Sequence, residues 1–175
     1  KVPYVPDETE INYKAMGQDI IALFSGFCDG YGKNLGLYFE PGKFLTAKAG
    51  CLLVEVNTIK CNRKKTICGT DSGFPQLIRP VFYDAYHQII NVSNPKGKTR
   101  IYTVVGYICE TDTFGWNRKI SEIREGDFLV FLNAGAYCFT MSSNYNARLR
   151  PPEVMINKGK DYLIRQRETL DDLLR

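Results

Sequence analysis

One change of periodicity, near Gly42, limits what this chain can fold into more than any other feature. Before it, Met16, Ile20, Leu23, Phe24 and Phe27 recur at helical spacing and place an apolar stripe along one helix face. Asp7-Glu8-Thr9-Glu10 reads as the capping box of that helix, and Asp29-Gly30 with Gly32 as its stop. The run Leu35-Gly36-Leu37-Tyr38-Phe39 then reads as a short strand buried on both faces, the habit of parallel sheets. After Gly42 the period becomes two: Leu52, Val54 and Val56 alternate with Leu53, Glu55 and Asn57. Further strand-like runs cover residues 101–108, 128–132, 153–157 and 162–165, with Asn157-Lys158-Gly159-Lys160 as hairpin-turn chemistry between the last two. Residues 168–175 suit one or two helical turns. The expected fold is therefore mainly β, an antiparallel barrel or sandwich that follows a single helix–strand unit of α/β type. A lone helix and parallel strand cannot bury both faces of the strand, so further chain is expected before Lys1.

Composition narrows the function classes. In 175 residues, 44% hydrophobic and 13% aromatic, there is ample material for a packed core, which excludes a disordered chain. The 23 basic and 19 acidic residues are dispersed, and Arg63-Lys64-Lys65 is the longest basic run, a solvated turn rather than a nucleic-acid patch. No apolar stretch approaches the ~20 residues of a membrane-spanning helix. The six cysteines form no C-x-x-C pair, and the one histidine, His87, sits at no zinc spacing. Reduced thiols in a cytoplasmic protein are the expected state.

Four segments concentrate reactive groups, and each has a purely structural reading beside the chemical one. Glu40-Pro41-Gly42-Lys43 ends the proposed buried strand, where α/β barrels bind ligands and where glycine lets backbone N–H groups approach an anion; it is also an ordinary strand-ending turn. The segment from Arg79 to His87 puts a guanidinium four residues before the Tyr83 phenol, suited to grasping a carboxylate, although Arg and Tyr are common in edge strands and His87 suits a surface or strand position. Cys109 and Glu110 place a thiol beside a carboxylate. Strand neighbours point to opposite faces, so both serve one site only from a loop, and buried packing is the default for the thiol. The stretch from Gly135 to Asn146 is rich in tyrosine and hydroxyls; its Tyr137 could donate to a phosphate or carboxylate, or simply satisfy a turn.

Taken in order, these segments resemble the barrel-type pyridoxal-phosphate-dependent decarboxylases, in their diaminopimelate branch. E-P-G-[R] is similar to Glu40-Pro41-Gly42-Lys43, and R-P-x-[L/F]-Y-x-A-x-H to Arg79 through His87. The C-E-x-x-D signature is similar to Cys109, Glu110 and Asp112, and G-A-Y…M-S-S-x-Y-N to Gly135 through Asn146. Arg167-Glu168-Thr169 with Asp171-Asp172-Leu173 resembles the closing R-E-T-x-x-D-L. The resemblance implies a division into residues 1–43, the last helix and strand of a TIM-type α/β barrel that binds the cofactor, and residues 44–175, a Greek-key-like β-domain. It also implies that the cofactor-bearing lysine lies upstream, so that this chain alone is an incomplete catalyst. The implied reaction converts meso-2,6-diaminopimelate to L-lysine and CO2 with pyridoxal 5'-phosphate, with Cys109 as the acid that protonates the substrate carbon. Arg79 and Tyr83 would hold the distal carboxylate, Glu110 the distal ammonium, and Tyr137 both cofactor and substrate, while Glu40, Pro41 and Gly42 approach the cofactor phosphate. The resemblance further implies a homodimer whose active site is shared, Cys109 and Glu110 serving the partner's cofactor. Lys43 departs from the family's substrate-binding Arg, keeping the charge without the fork. Glu110, where ornithine-type relatives carry Asp, favours diaminopimelate over ornithine, lysine or a polyamine precursor as substrate. A β-domain that binds a partner without catalysis is the contrasting reading.

Overall fold

The computed structural model describes residues 2–62 and 65–174; Arg63 and Lys64 of the basic triplet lie outside the described residues. Helix α1 spans Tyr13–Tyr31, and its cap is Asn12, whose side-chain oxygen accepts from the Ala15 amide at 3.1 Å. The capping box expected at residues 7–10 does not form: Glu8 instead accepts from the Tyr4 amide at 2.9 Å, ordering the entry to the helix. Gly32, in the left-handed region at φ 74°, ends α1 and donates its N–H to the Cys28 carbonyl. Asp29 and Gly30 lie within the helix rather than ending it.

The strand expected at residues 35–39 is absent. The segment carries no regular element and is exposed, because a strand exists through its ladder and no strand among the described residues pairs with it. It runs beside α1, and the two enclose an apolar groove of about 650 Å³ lined by Met16, Ile20, Phe24, Leu37 and Phe39.

Beyond the short helix α2 (Gly42–Thr46), the chain builds a six-stranded sheet from β1 (Leu52–Cys61), β2 (Thr66–Thr70), β3 (Ile89–Asn91), β4 (Thr99–Val105), β5 (Thr113–Ser121) and β6 (Phe128–Phe131). The order is β3-β6-β1-β2-β4-β5, and the outer strands β3 and β5 approach each other, so the sheet is nearly a closed barrel. All pairings are antiparallel except β2 with β4, which run parallel; the sheet is mixed rather than purely antiparallel. Val54 and Val56 point inward and Glu55 outward, as the period-two pattern requires. With Leu129, Phe131 and Phe114 they fill the barrel, the last two rings meeting edge to face at 4.8 Å. A helix α3 (Arg79–Tyr83), with Pro80 in its first turn, replaces the edge strand considered for that segment. A separate hairpin pairs β7 (Glu153–Asn157) with β8 (Lys160–Arg165), and its turn residues Lys158 and Gly159 are both left-handed, at φ 49° and 75°. The chain closes in a short 3₁₀ helix, Leu170–Leu174.

Candidate active site

Four segments that are distant in sequence wall a cleft of about 560 Å³: the N-terminal stretch with Tyr4 and Glu8, the start of α2 with Glu40, Pro41, Gly42 and Lys43, the turn after β6 with Tyr137, and α3 with Arg79. Gly42 donates its N–H to the Glu40 carbonyl at 2.9 Å, which folds the rim tightly. Opposite it, the turn after β6 is locked to the end of α2 by a crossing of two backbones. Ala134 donates to the Gly50 carbonyl at 2.8 Å and Gly135 to the Ala47 carbonyl at 3.1 Å. A side chain at Gly135 would overlap the Thr46 carbonyl oxygen, so only glycine permits this approach. Tyr137 follows in the left-handed region at φ 56°, and a Cβ placed on Gly42 would stand 3.3 Å from its phenol oxygen. The close approach of rim and phenol is thus set by backbone contacts.

Arg79 is 9% exposed, its Nε has no acceptor, and among the described residues no carboxylate pairs with it. Its guanidinium carbon lies 5.6 Å from the Tyr4 ring centroid and 5.8 Å from that of Tyr83. A nearly buried, unpaired cation facing a cleft is a receptor for an anion such as a carboxylate or phosphate. Burial raises the Tyr4 phenol above its ordinary range, against the charge of Arg79. Beneath this layer lies His87, fully buried rather than at the surface. Its Nδ1 lies 2.8 Å from the Leu132 carbonyl, which can only accept, so Nδ1 carries the hydrogen and the unpartnered Nε2 carries none. Burial, with Arg79 and Arg118 nearby, holds its pKa below the ordinary 6.5. It is a neutral prop for the turn that carries Tyr137. Cys138, also beneath the cleft, is pushed by burial to about 11, an inert thiol.

Cys109 and Glu110 stand elsewhere. They occupy the tip of the loop joining β4 to β5, residues 106–112, both exposed and neither lining the cleft. The loop conformation is the one in which a thiol and its neighbouring carboxylate can serve one site. Asp112, three residues after Cys109 and so one short of the C-E-x-x-D spacing, is buried. It accepts from the Phe74 amide at 2.7 Å and the Ile108 amide at 2.9 Å. Tyr83 contacts Arg79 but is 55% exposed and lies outside the cleft lining. Thus Glu40, Pro41, Gly42, Lys43, Arg79 and Tyr137 come together, whereas Tyr83 sits beside them and Cys109 and Glu110 apart. Sequence reasoning missed Tyr4, Phe44 and Tyr86 in the lining. Tyr86 had a signal, lying within the Arg79–His87 motif; Tyr4 had none.

The sequence profile of the pyridoxal-dependent decarboxylase C-terminal sheet domain matches residues 4–135. The diaminopimelate decarboxylase of Methanothermobacter thermautotrophicus is 41% identical over 177 residues, a match that covers 99% of this chain and 41% of that protein. That of Zymomonas mobilis is 43% identical over 176 residues, covering 99% and 40%. Among solved structures, the diaminopimelate decarboxylase of M. jannaschii in complex with L-lysine superposes with a TM-score of 0.90 at 35% identity, covering 99% of this chain and 40% of that one. The chain therefore spans about 40% of the length of the relatives it matches.

Proposed function

Because this chain belongs to the pyridoxal-dependent decarboxylases as their C-terminal sheet domain, we propose that it is the C-terminal part of an enzyme that converts meso-2,6-diaminopimelate to L-lysine and CO2. The observation that carries this reading is Arg79: a nearly buried guanidinium, without a carboxylate partner among the described residues, facing a cleft with Lys43 and Tyr137. Arg79 and Lys43 bring positive charge to a cleft that Glu8 and Glu40 also line, and a buried guanidinium that no described carboxylate pairs with fits the phosphate and carboxylates of a cofactor–substrate pair.

When bound, pyridoxal phosphate supplies the electron sink for loss of CO2. The chain's own residues then bind and deliver protons. Arg79, with Tyr83 beside it, holds the substrate's distal carboxylate, and Lys43 adds a point charge in place of a fork. Glu40, Pro41 and Gly42 form the rim nearest the cofactor phosphate, and Tyr137 donates from the facing wall. Glu110 pairs with the distal ammonium, and the Cys109 thiol returns a proton to the substrate α-carbon. Cys109 and Glu110 are exposed on a loop away from this chain's cleft, which supports a homodimer in which each loop completes the other subunit's site. The L-lysine complex of the M. jannaschii relative supports an amino-acid ligand. Six cysteines without disulfides accord with a cytoplasmic setting, and no described helix is long and apolar enough to cross a membrane. Residues 1–43 belong, on this reading, to the cofactor-binding barrel and residues 44–175 to the β-domain, and the chain by itself releases no CO2.

The test is CO2 release by the full-length protein with pyridoxal phosphate, offered meso-diaminopimelate, L-lysine and L-ornithine in turn. Preference for diaminopimelate, lost in Cys109→Ala, is expected. Turnover of lysine or ornithine alone would keep the chemistry and shift specificity from Glu110 to Lys43. No turnover with cofactor bound would point to a non-catalytic binding module.

A further inference from the structure

A loop that must present a thiol and a carboxylate to another subunit gains nothing from that subunit until the two meet, so its shape has to be held from within its own chain. The loop between β4 and β5 is held by one buried carboxylate. Asp112 is 6% exposed, and none of the described cations pairs with it. Its two oxygens accept from backbone amides of different segments, Phe74 at 2.7 Å and Ile108 at 2.9 Å. Its carbonyl accepts from Gly106 at 2.8 Å, closing the loop at its base.

Two glycines are spent on this arrangement. A Cβ on Gly73 would stand 2.6 Å from Oδ2, and one on Gly106 would overlap the same oxygen, so the backbone closes around the carboxylate from both sides. Tyr107 adds a second tie, donating its amide to the Ser72 carbonyl at 3.1 Å and its phenol to Gln76 Oε1 at 2.8 Å. Gln76 in turn donates to the Leu149 carbonyl at 3.1 Å and accepts from the Gly73 amide. The base of the loop is therefore clamped to residues 72–76, while Cys109 and Glu110 at the tip touch none of this network.

We infer that Asp112 is the positioning residue of this site, fixing the reach of Cys109 and Glu110 toward the substrate without touching it. The inference rests on the decarboxylase reading for those two residues. Burying an unpaired carboxylate costs stability, as the raised pKa of Asp112 records, and an exposed loop with no task has no use for that expense.

The experiment uses the full-length protein with pyridoxal phosphate and compares Asp112→Asn with Asp127→Asn. Asp127 is another buried carboxylate, accepting from Asn91 Nδ2 and the Arg124 amide away from the loop. Asparagine at 112 keeps one acceptor and faces the other amide with a donor. The expected result is a fall in kcat of about tenfold to a hundredfold, the order that small misplacements cost. KM for diaminopimelate rises as well, because Glu110 rides on the same loop, and cofactor content stays unchanged. Asp127→Asn should lower Tm without lowering kcat. Gly73→Ala, which displaces the same carboxylate without altering charge, should repeat the kcat loss. Retention of kcat in Asp112→Asn within about twofold, or a loss of kcat that only tracks lost cofactor, overturns the inference. If the wild-type enzyme decarboxylates none of the amino acids, the decarboxylase reading fails, and amide exchange still decides the role of Asp112. Faster exchange confined to residues 72–76 and 106–112 in the Asn variant upholds only its hold on the loop, and unchanged exchange there ends that too.

Discussion

At the scale of single residues the molecule separates groups that hold charge from groups that must not. His87 is of the second kind: its protonated form would bring a second unpartnered donor into a fully buried site facing Arg79 and Arg118. Its folded pKa lies below the ordinary 6.5, so between the two values the unfolded chain binds more protons than the folded one. Stability should then be intact above 6.5 and decline as pH falls through 6.5 toward the folded value. Denaturant melts of the full-length protein from about pH 8 to about pH 5 should show this slope and show it flattened in His87→Gln. Asp112 acts in the opposite sense: its raised pKa makes the folded state the better proton binder, so its contribution weakens as pH rises from 3.8 to the folded value. Arg79 must keep its charge and its planar fork. Arg79→Lys is expected to raise KM for diaminopimelate by about tenfold to a hundredfold, the range of one charge-assisted hydrogen bond, measurable by steady-state kinetics. Arg79, Lys43 and Tyr137 were legible in the sequence because short motifs carry them. Tyr4 was not, since only the folded chain brings its ring to Arg79 from a remote segment.

Among elements, legibility followed how much each strand's own pattern decides its fate. The period-two run at residues 52–57 predicted β1, and the turn residues Lys158 and Gly159 predicted the β7–β8 hairpin, because burial alternation and left-handed turns are local signals. Strands β2, β3 and β5 escaped. β3 is three residues long, β2 contains Gly69, and β5 contains Gly115 and a left-handed Asn117, so their strand state depends on neighbours rather than propensity. The run at residues 35–39 failed the other way: its apolar character is real, but no described strand offers it a ladder. The Gly50–Gly135 crossing is likewise a matter of two elements meeting. Gly135→Ala should press a methyl group into the Thr46 carbonyl, which is backbone and cannot rotate aside. A loss of at least about 1–3 kcal/mol in denaturant unfolding is expected, together with weakened cofactor binding as Tyr137 moves off the Gly42 rim. Unchanged stability would mean that the α2 end yields freely.

For the whole molecule, the switch from helical to period-two patterning correctly gave a mainly β body, barrel or sandwich, after a helical opening, yet the parallel pairing that closes the barrel was beyond it. Closure depends on β2 and β4 pairing in parallel across an intervening stretch that holds α3 and β3, a long-range event with no local signature. The same view of the whole exposes a liability. The barrel core is sealed, but the apolar face of α1 and residues 35–39 is not: Leu23 is 76% and Phe39 65% exposed, beside a groove lined almost wholly by hydrophobic side chains. The β7–β8 hairpin adds Ile156 and Ile164, both on the surface. Contiguous apolar surface of this extent is covered in stable proteins, by the rest of the chain or by a partner. The chain produced by itself should therefore self-associate, seen as a scattering mass above 19.9 kDa that grows with concentration. Placing charges in the groove, as in Ile20→Lys with Phe24→Glu, should reduce that association while leaving the barrel's unfolding transition in place, because these side chains touch none of its core. A monomer with a single cooperative melt would show instead that the groove closes on itself in solution.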